Sequence, residues 1–345
     1  MANEQELIGL AEVGELAGVS PQAVANWRSR FSDFPAPVAE LRAGPVFDRY
    51  QIKRWLRRHK GSMTTVIATI NLKGGVGKTT TTVALAEFLS AEYRKRVLVI
   101  DLDPQTNATT VLIGEPKWGK LNADGHTLAT LFRDALEPDP SKRTFDLDAT
   151  LQTRVSAVSD VRRVDLLPSS LDLIDVQDRL GTMPAGRYFA NTPIEILNRA
   201  LAGRLDEYDY VIVDCPPNLG IITLNGLRLA DGYIIPTIPD VLSTYGIPQI
   251  VKRVSEFASE VNQPIEMFGI VVSKYREQST MHRQTLGSLR RGKEHVFDTV
   301  IPEGNAIAAS AEFVQVSTLR QKYSYGNRYE LFSRLTKEII KASEA

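Results

Sequence analysis

Apolar residues recur at helical spacing from Leu10 to Ala17, Gly18 interrupts them, and Ser20-Pro21 opens a second helical run that continues to Arg30. Ser20 is placed to cap that second helix, and Pro21 occupies its first position, where a missing N–H costs nothing. The pattern predicts helix, turn, helix, with Val24 and Trp27 turned inward and Gln22, Asn26 and Ser29 outward. Beyond Phe34-Pro35-Ala36-Pro37, residues 44–49 predict a small wing, and residues 50–60 a basic helix containing Arg54-Trp55-Leu56-Arg57-Arg58. From residue 64 the pattern changes to short β-branched runs, at 65–70, 96–100, 210–213, 232–236 and 267–272, alternating with helical stretches of which 79–90 is the first. That alternation predicts an α/β fold with a doubly wound, largely parallel sheet. Leu331, Phe332, Leu335, Ile339 and Ile340 share one face of a final helix over 329–342, which reads as packing on the sheet; a membrane-seeking surface is the alternative.

The polar join His59-Lys60-Gly61-Ser62-Met63 divides the chain into a domain over 1–60, a linker at 61–63 and a domain over 64–345. A length of 345 residues with 43% hydrophobic composition supports two cores. The formal net charge is zero, so any nucleic-acid surface must be a local patch. Residues 1–62 carry nine Lys or Arg against seven Asp or Glu, too small an excess for tight DNA binding by a lone module. The single cysteine, Cys215, fits a reducing compartment and needs no redox role. The first residues have no basic region followed by a long apolar one, and no run of membrane-spanning length occurs; the expectation is a soluble, cytoplasmic protein. Residues 115–163 read as a surface excursion without a motif.

The chemistry starts at Lys73-Gly74-Gly75-Val76-Gly77-Lys78-Thr79-Thr80, directly after the first strand of the long domain. Backbone N–H groups of such a loop and the start of the next helix converge on anionic oxygens, and glycines let the backbone come close to phosphate. The loop departs from the G-x-x-x-x-G-K-[ST] pattern by having Leu72 where a glycine stands and an additional lysine at 73. Lys78 is expected on the β and γ phosphates of a bound nucleotide and Thr79 on Mg²⁺. Asp214, ending the run Val211-Ile212-Val213, has the position of a metal-holding aspartate, and Asp103, with Asp101 in support, is the candidate to orient or deprotonate water. All three candidates stand at carboxyl ends of predicted strands, where such sheets bind ligands.

Two resemblances follow from these residues. The first fifty or so residues resemble the helix-turn-helix modules of the MerR and excisionase type, through the Ser20-Pro21 helix, the proline-rich turn and the closing Trp55-Leu56 helix, which implies DNA reading by Ser20, Gln22 and Asn26. Residues 64–345 resemble the ParA/MinD group of deviant Walker ATPases, through the loop with Lys73, the stretch Asp101-Leu102-Asp103-Pro104-Gln105-Thr106-Asn107 and the stretch Val213-Asp214-Cys215-Pro216-Pro217. The Asp-Pro-Gln-x-Asn form and Leu72 look like the ParA branch. The resemblance implies a P-loop NTPase using ATP and Mg²⁺, and an ATP-dependent sandwich homodimer in which Lys73 crosses to the other nucleotide. It also implies binding of nonspecific DNA on the nucleoid, stimulation by a ParB-like centromere-binding protein, and an adenine border at Pro302.

A DNA surface is expected at 274–293, where Lys274, Arg276, Arg283, Arg290, Arg291 and Lys293 face one acid, Glu277. Five neutralised phosphates would give a log–log salt slope on the order of −4. The stretch Ile301-Pro302-Glu303-Gly304-Asn305-Ala306 lacks the two arginines that ParA relatives commonly carry there. The functional expectation is a DNA-segregation ATPase that also represses its own operon; the alternatives are a nucleotide-sensing transcription regulator and a positioning ATPase for a protein cargo.

Overall fold

The computed structural model describes residues 7–49, 51–52, 55–56, 64–181, 193–304, 313, 315–324 and 327–344. Residues 7–56 belong to one compact unit, with which 255–264 are grouped, and Thr64 opens the other. In the first unit β1 (Leu7–Gly9) runs straight into α1 (Leu10–Ala17), which Gly18 ends in the left-handed region at φ 62°. The Ser20 hydroxyl accepts the Ala23 N–H at 3.3 Å and starts α2 (Pro21–Arg30). Val24 is fully buried and Trp27 half-buried, while Gln22, Asn26 and Ser29 are exposed.

The stretch 44–49 contributes one strand of a three-stranded sheet. β2 (Ala39–Leu41) and β3 (Gly44–Asp48) pair antiparallel, and β1 closes the other side of β3. Strands of three residues are too short to show a period in sequence, which is why β1 and β2 were not legible. The core of this unit is aromatic: Trp55 lies 4.7 Å from Phe34, 5.4 Å from Phe31 and 5.6 Å from Trp27 between ring centroids. Gln51, Ile52, Trp55 and Leu56 are helical, as expected, and Arg49, expected in the wing, is helical too; Arg54, Arg57, Arg58 and the linker 61–63 lie outside the described residues.

The second unit is built on a seven-stranded sheet in the order β10-β9-β8-β4-β7-β5-β6, parallel at every pairing. Its strands are β4 (Thr65–Thr69), β5 (Val97–Asp101), β6 (Val164–Leu167), β7 (Tyr210–Asp214), β8 (Gly232–Thr237), β9 (Glu266–Tyr275) and β10 (Val296–Pro302). Every residue of β4, β5, β7 and β8 is buried, as continuous apolar runs covered on both faces require. The edge strands β6 and β10 were not anticipated: β6 contains Asp165, and β10 contains Asp298 and Pro302, which weaken a strand pattern. The chain winds outward from β4 toward β6 and later toward β10, so the reversal lies at β4, and the crevice at its carboxyl end is where this topology accommodates ligands.

Helix Lys78–Ala91 is buried along almost its whole length, between the sheet and a lid of aromatic residues. Phe88 lies 5.2 Å from Tyr323 and 6.2 Å from Phe332. Phe332, Leu335 and Ile339 of helix Arg328–Glu344 are buried in the same core cluster and Leu331 and Ile340 pack against it, so the apolar face of that helix is spent on the fold. Among the described residues no helix is long and apolar enough to cross a membrane. Glu87 is fully buried and accepts from Lys322 at 2.8 Å, the Tyr323 hydroxyl at 2.9 Å and the Ser156 hydroxyl at 2.8 Å. Lys322→Met leaves that carboxylate without its cation and is expected to cost on the order of 3–5 kcal/mol. Urea unfolding of the variant reads this as a lower midpoint at unchanged slope, and an unchanged midpoint refutes it.

Candidate active site

Beyond β4 the chain is pinned before it turns. The Asn71 amide donates to the Pro236 carbonyl of β8 at 2.8 Å and accepts the Lys73 N–H at 2.9 Å. Gly75 and Gly77 sit in the left-handed region at φ 73° and 85°, which residues with a Cβ rarely occupy. A Cβ built on Gly74 or Gly75 would meet nothing within 4 Å, so the concave side of the turn is open. Its convex side is closed: Val76 is fully buried, and the Ser273 hydroxyl donates to the Val76 carbonyl at 2.6 Å. Helix Lys78–Ala91 begins directly behind Gly77, with Thr79 and Thr80 in its first turn. The result is a rigid loop whose backbone faces a helix N-terminus, the arrangement that receives phosphate.

Lys78 is 6% exposed, and its ammonium donates to the Lys73 carbonyl at 3.2 Å. The Thr79 hydroxyl donates to Asp214 Oδ2 at 2.7 Å, and the Thr82 hydroxyl donates to Oδ1 at 3.2 Å. Asp214 ends β7, in register with Thr69 of β4 and Asp101 of β5. Asp103 follows β5; its carboxylate accepts the Gln105 N–H at 3.0 Å and its carbonyl accepts the Ser169 hydroxyl at 2.7 Å. Lys73, Lys78, Thr79, Asp103 and Asp214 thus stand at the carboxyl ends of β4, β5 and β7.

Three carboxyls and one ammonium share this low-dielectric corner. Burial pushes the Asp214 carboxyl up to about 7, against the pull of the Thr79 hydroxyl, and Asp103 adds to the rise. Burial raises Asp103 as well, opposed by the Gln105 N–H and Lys78, and lowers Lys78, opposed by Asp214 and Asp103. Asp101 is raised well above the usual carboxylate range by burial and then by Asp214. Its oxygens accept from the Asp103 N–H at 3.1 Å, the Thr109 N–H at 2.8 Å and the Thr109 hydroxyl at 2.6 Å. Asp101 therefore anchors the Asp103 loop. The Cys215 thiol, fully buried, is also pushed up and stays protonated.

The donor set suits a small hard cation completed by phosphate oxygens and water. The Thr79 hydroxyl and the Asp214 carboxylate supply oxygen ligands, and among the described residues no group of His, Cys, Asp or Glu forms a self-sufficient metal cage. An excess of buried carboxyl that one divalent cation would neutralise points the same way.

Sequence reasoning missed Asn71, Thr82, Ser273 and Asp240. Asp240 matters most: the Lys73 ammonium lies 3.3 Å from its Oδ2, with the Lys73 side chain 40% exposed and Asp240 20%. Asp240 stands just past β8, at a strand end like Asp101 and Asp214, so the same positional logic would have found it.

The remaining candidates lie elsewhere. Pro302 ends β10, the third strand from β4, on the same carboxyl edge. Arg276, Arg283, Arg290, Arg291 and Lys293 are exposed and Lys274 half-buried, on and around helix Thr280–Arg291. Glu277 is the single acid within 274–293, and from outside that stretch Glu303 of the β10 side is ion-paired with Arg276, Nη2 to Oε1 at 2.9 Å. Arg290 donates to the Asp298 carbonyl at 3.1 Å and Arg291 to the Ser288 hydroxyl at 3.3 Å. In the first unit, the Gln22 amide donates to Asn26 Oδ1 at 3.5 Å, and the Ser20 hydroxyl is engaged in capping.

The Asp214 carboxyl holds its proton more tightly folded than at its ordinary value of 3.8. Stability of the nucleotide-free protein should therefore fall as pH rises from about 4 to about 7. Asp214→Asn removes that loss: its thermal midpoint is expected level with that of the unsubstituted protein below about pH 4 and increasingly above it from there to about pH 7. A variant no more stable at the higher pH contradicts the raised carboxyl.

Residues 64–267 match the AAA domain family AAA_31. An uncharacterized protein of Mycobacterium tuberculosis is 35% identical over 237 residues, which cover 68% of this chain and 66% of that protein. The chromosome-partitioning ATPase Soj of Thermus thermophilus is 30% identical over 275 residues, 79% of this chain and 94% of its own. Among solved structures, cobyrinic acid a,c-diamide synthase from Mycobacterium smegmatis with bound ATP analog and magnesium is similar at a TM-score of 0.59 and 27% identity, covering 80% of this chain and 93% of that one. With a family match over more than half its length laid on a parallel sheet and a glycine loop of this kind, the chain belongs to the AAA_31 family, as a P-loop ATPase of the ParA type.

Proposed function

We propose that the chain is a DNA-partition ATPase that binds ATP and Mg²⁺, dimerises on ATP and holds nonspecific DNA in that state. The observation that carries this reading is the pair of lysines on one loop. Lys78 is buried within the pocket, whereas Lys73 stands half-exposed at its rim on an acidic partner, Asp240. A second ammonium outside its own pocket has a use if it leaves Asp240 for the nucleotide of a second copy.

ATP and Mg²⁺ fit the residues present: the backbone of 74–80 and Lys78 would hold the phosphates, and Thr79 and Asp214 the cation, with Pro302 assigned to the adenine side. Bound Mg²⁺ supplies Lewis-acid polarisation of the terminal phosphate. Lys78 places positive charge where negative charge builds during transfer, and Lys73 of a second copy adds to it. Asp103, held by Gln105, Ser169 and the Asp101 anchor, orients the attacking water and takes its proton. A monomer lacks the second lysine and turns over slowly, and a ParB-like partner is the expected stimulator.

Exposed amides on α2 favour a second, compatible role in which the first unit reads an operator through Gln22 and Asn26 as a helix-turn-helix module. Bulk DNA is assigned to the face bearing Lys274, Arg283, Arg290, Arg291 and Lys293, with Arg276 shared with Glu303.

Fluorescence anisotropy on random and self-promoter duplexes, with ATP, ADP or no nucleotide across a salt series, tests both. Binding to random DNA is expected to be at least about tenfold tighter with ATP, with a salt slope on the order of −4. Lys73→Ala is expected to abolish the ATP dependence. Gln22→Ala with Asn26→Ala is expected to lose promoter preference and keep ATP-dependent bulk binding. Equal affinity in ATP and ADP, unaffected by Lys73→Ala, refutes the partition reading.

A further inference from the structure

Residues 152–163, which carry no sequence motif, are folded tightly along the outer edge of β6. Val155 N–H donates to the Val164 carbonyl at 2.7 Å, and Gln152 and Leu166 exchange backbone bonds at 2.9 and 2.8 Å. On the other flank, Val316 donates to the Ala157 carbonyl at 2.9 Å and Ser159 to the Val316 carbonyl at 3.0 Å. Val155, Val158 and Val161 are buried in the core cluster and pin the segment from below. Arg154 adopts φ 53°, a left-handed conformation that costs a non-glycine residue energy and that this framework enforces.

The consequence is a pocket of about 530 Å³ lined by Arg154, Ser156, Ser159, Arg162 and Arg163 with Val158 and Val161. Three of the seven lining residues are arginines and none is an acid. Among the described residues none of the three has an acidic side-chain partner: Arg162 donates to the Ser159 carbonyl at 3.4 Å and Arg163 to the Arg94 carbonyl at 3.0 Å. The neighbouring acids are committed elsewhere. Asp165 accepts the Arg154 N–H at 2.8 Å and the Tyr208 hydroxyl at 2.9 Å, and Glu87 is bound by Lys322, Tyr323 and Ser156. Asp160, exposed in the same loop, does not line the pocket. Arg94 and Arg96 are exposed just before β5, where the Arg96 N–H donates to Asp209 at 2.7 Å. Gathering like charges around one concavity is unfavourable until an anion enters, and planar guanidiniums with hydroxyls match phosphate oxygens.

We propose that this pocket is a second anion site, taking a phosphate group. Arg163 immediately precedes β6, so the site lies at the amino edge of the sheet, opposite the glycine loop. Two sources share the chemistry: the backbone of a DNA strand and a free phosphorylated molecule. The volume is in the range of small-ligand pockets, about 300–1,000 Å³.

The test uses the full chain with a nonhydrolysable ATP analog and Mg²⁺ saturating the glycine loop. Calorimetric titration with inorganic pyrophosphate and anisotropy with a random duplex are compared for the unsubstituted protein, Arg162→Ala with Arg163→Ala, and Arg162→Lys with Arg163→Lys. Both arginines are exposed, and unchanged analog affinity certifies that the variants fold. The alanine pair is expected to weaken pyrophosphate, duplex or both by at least about tenfold, and the lysine pair less. Loss confined to the duplex, with a salt slope shallower by about two, assigns the site to DNA backbone. Loss confined to pyrophosphate assigns it to a small ligand. If the alanine pair leaves both affinities unchanged, or the unsubstituted protein binds neither probe, the site does not exist as proposed. The pyrophosphate arm stands even if the protein proves not to bind DNA.

Discussion

Asp214 is a carboxylate with almost no water, held by two hydroxyls of the helix that follows the glycine loop. Those two bonds tie β7 to helix Lys78–Ala91, and thereby fix where the loop, Lys78 and Thr79 stand relative to the sheet. The cost is electrostatic. Burial pushes this carboxyl to about 7, with Asp101 and Asp103 raised beside it, so the corner is short of positive charge. A corner built this way suits a divalent cation, which would neutralise the buried carboxyls.

The same helix carries the load at its other end. Its fully buried Glu87 reaches Lys322, Tyr323 and Ser156, and Phe88 packs on Tyr323 and Phe332. A phosphate-facing N-terminus and an ion-paired C-terminal half on one rigid element join the site to the distant edge of the sheet, where the three-arginine pocket begins at Ser156. Beyond β4 and β8 Lys73 and Asp240 form a partly exposed pair, whereas Lys78 is buried.

Central strands were legible because burial on both faces demands unbroken β-branched runs, and β4, β5, β7, β8 and β9 all show them. Edge strands β6 and β10 carry charges and a proline that their position permits, and β1 and β2 are three residues each, too short for any period. Lys73, Lys78, Thr79, Asp103 and Asp214 were legible because each lies at the end of a readable strand or in the glycine loop. Asp240 followed the same rule and was overlooked, whereas Thr82, Asn71 and Ser273 have no local signal, since their partners are far away in sequence.

Taken alone, the sequence determined the class of fold, the glycine loop and the positions of Asp103 past β5 and Asp214 at the end of β7, because these depend on local periodicity and on the few residue types that permit a positive φ or ligate phosphate and metal. Only the tertiary structure decided which carboxyl holds which group, that Asp101 accepts from the Asp103 N–H and Thr109, that Lys73 rests on Asp240, and that Glu303 offsets Arg276. It also decided that Arg154, Arg162 and Arg163 surround one pocket. These facts rest on distances between residues remote along the chain, or on the path of a motif-free loop, and spacing in sequence carries no information about either.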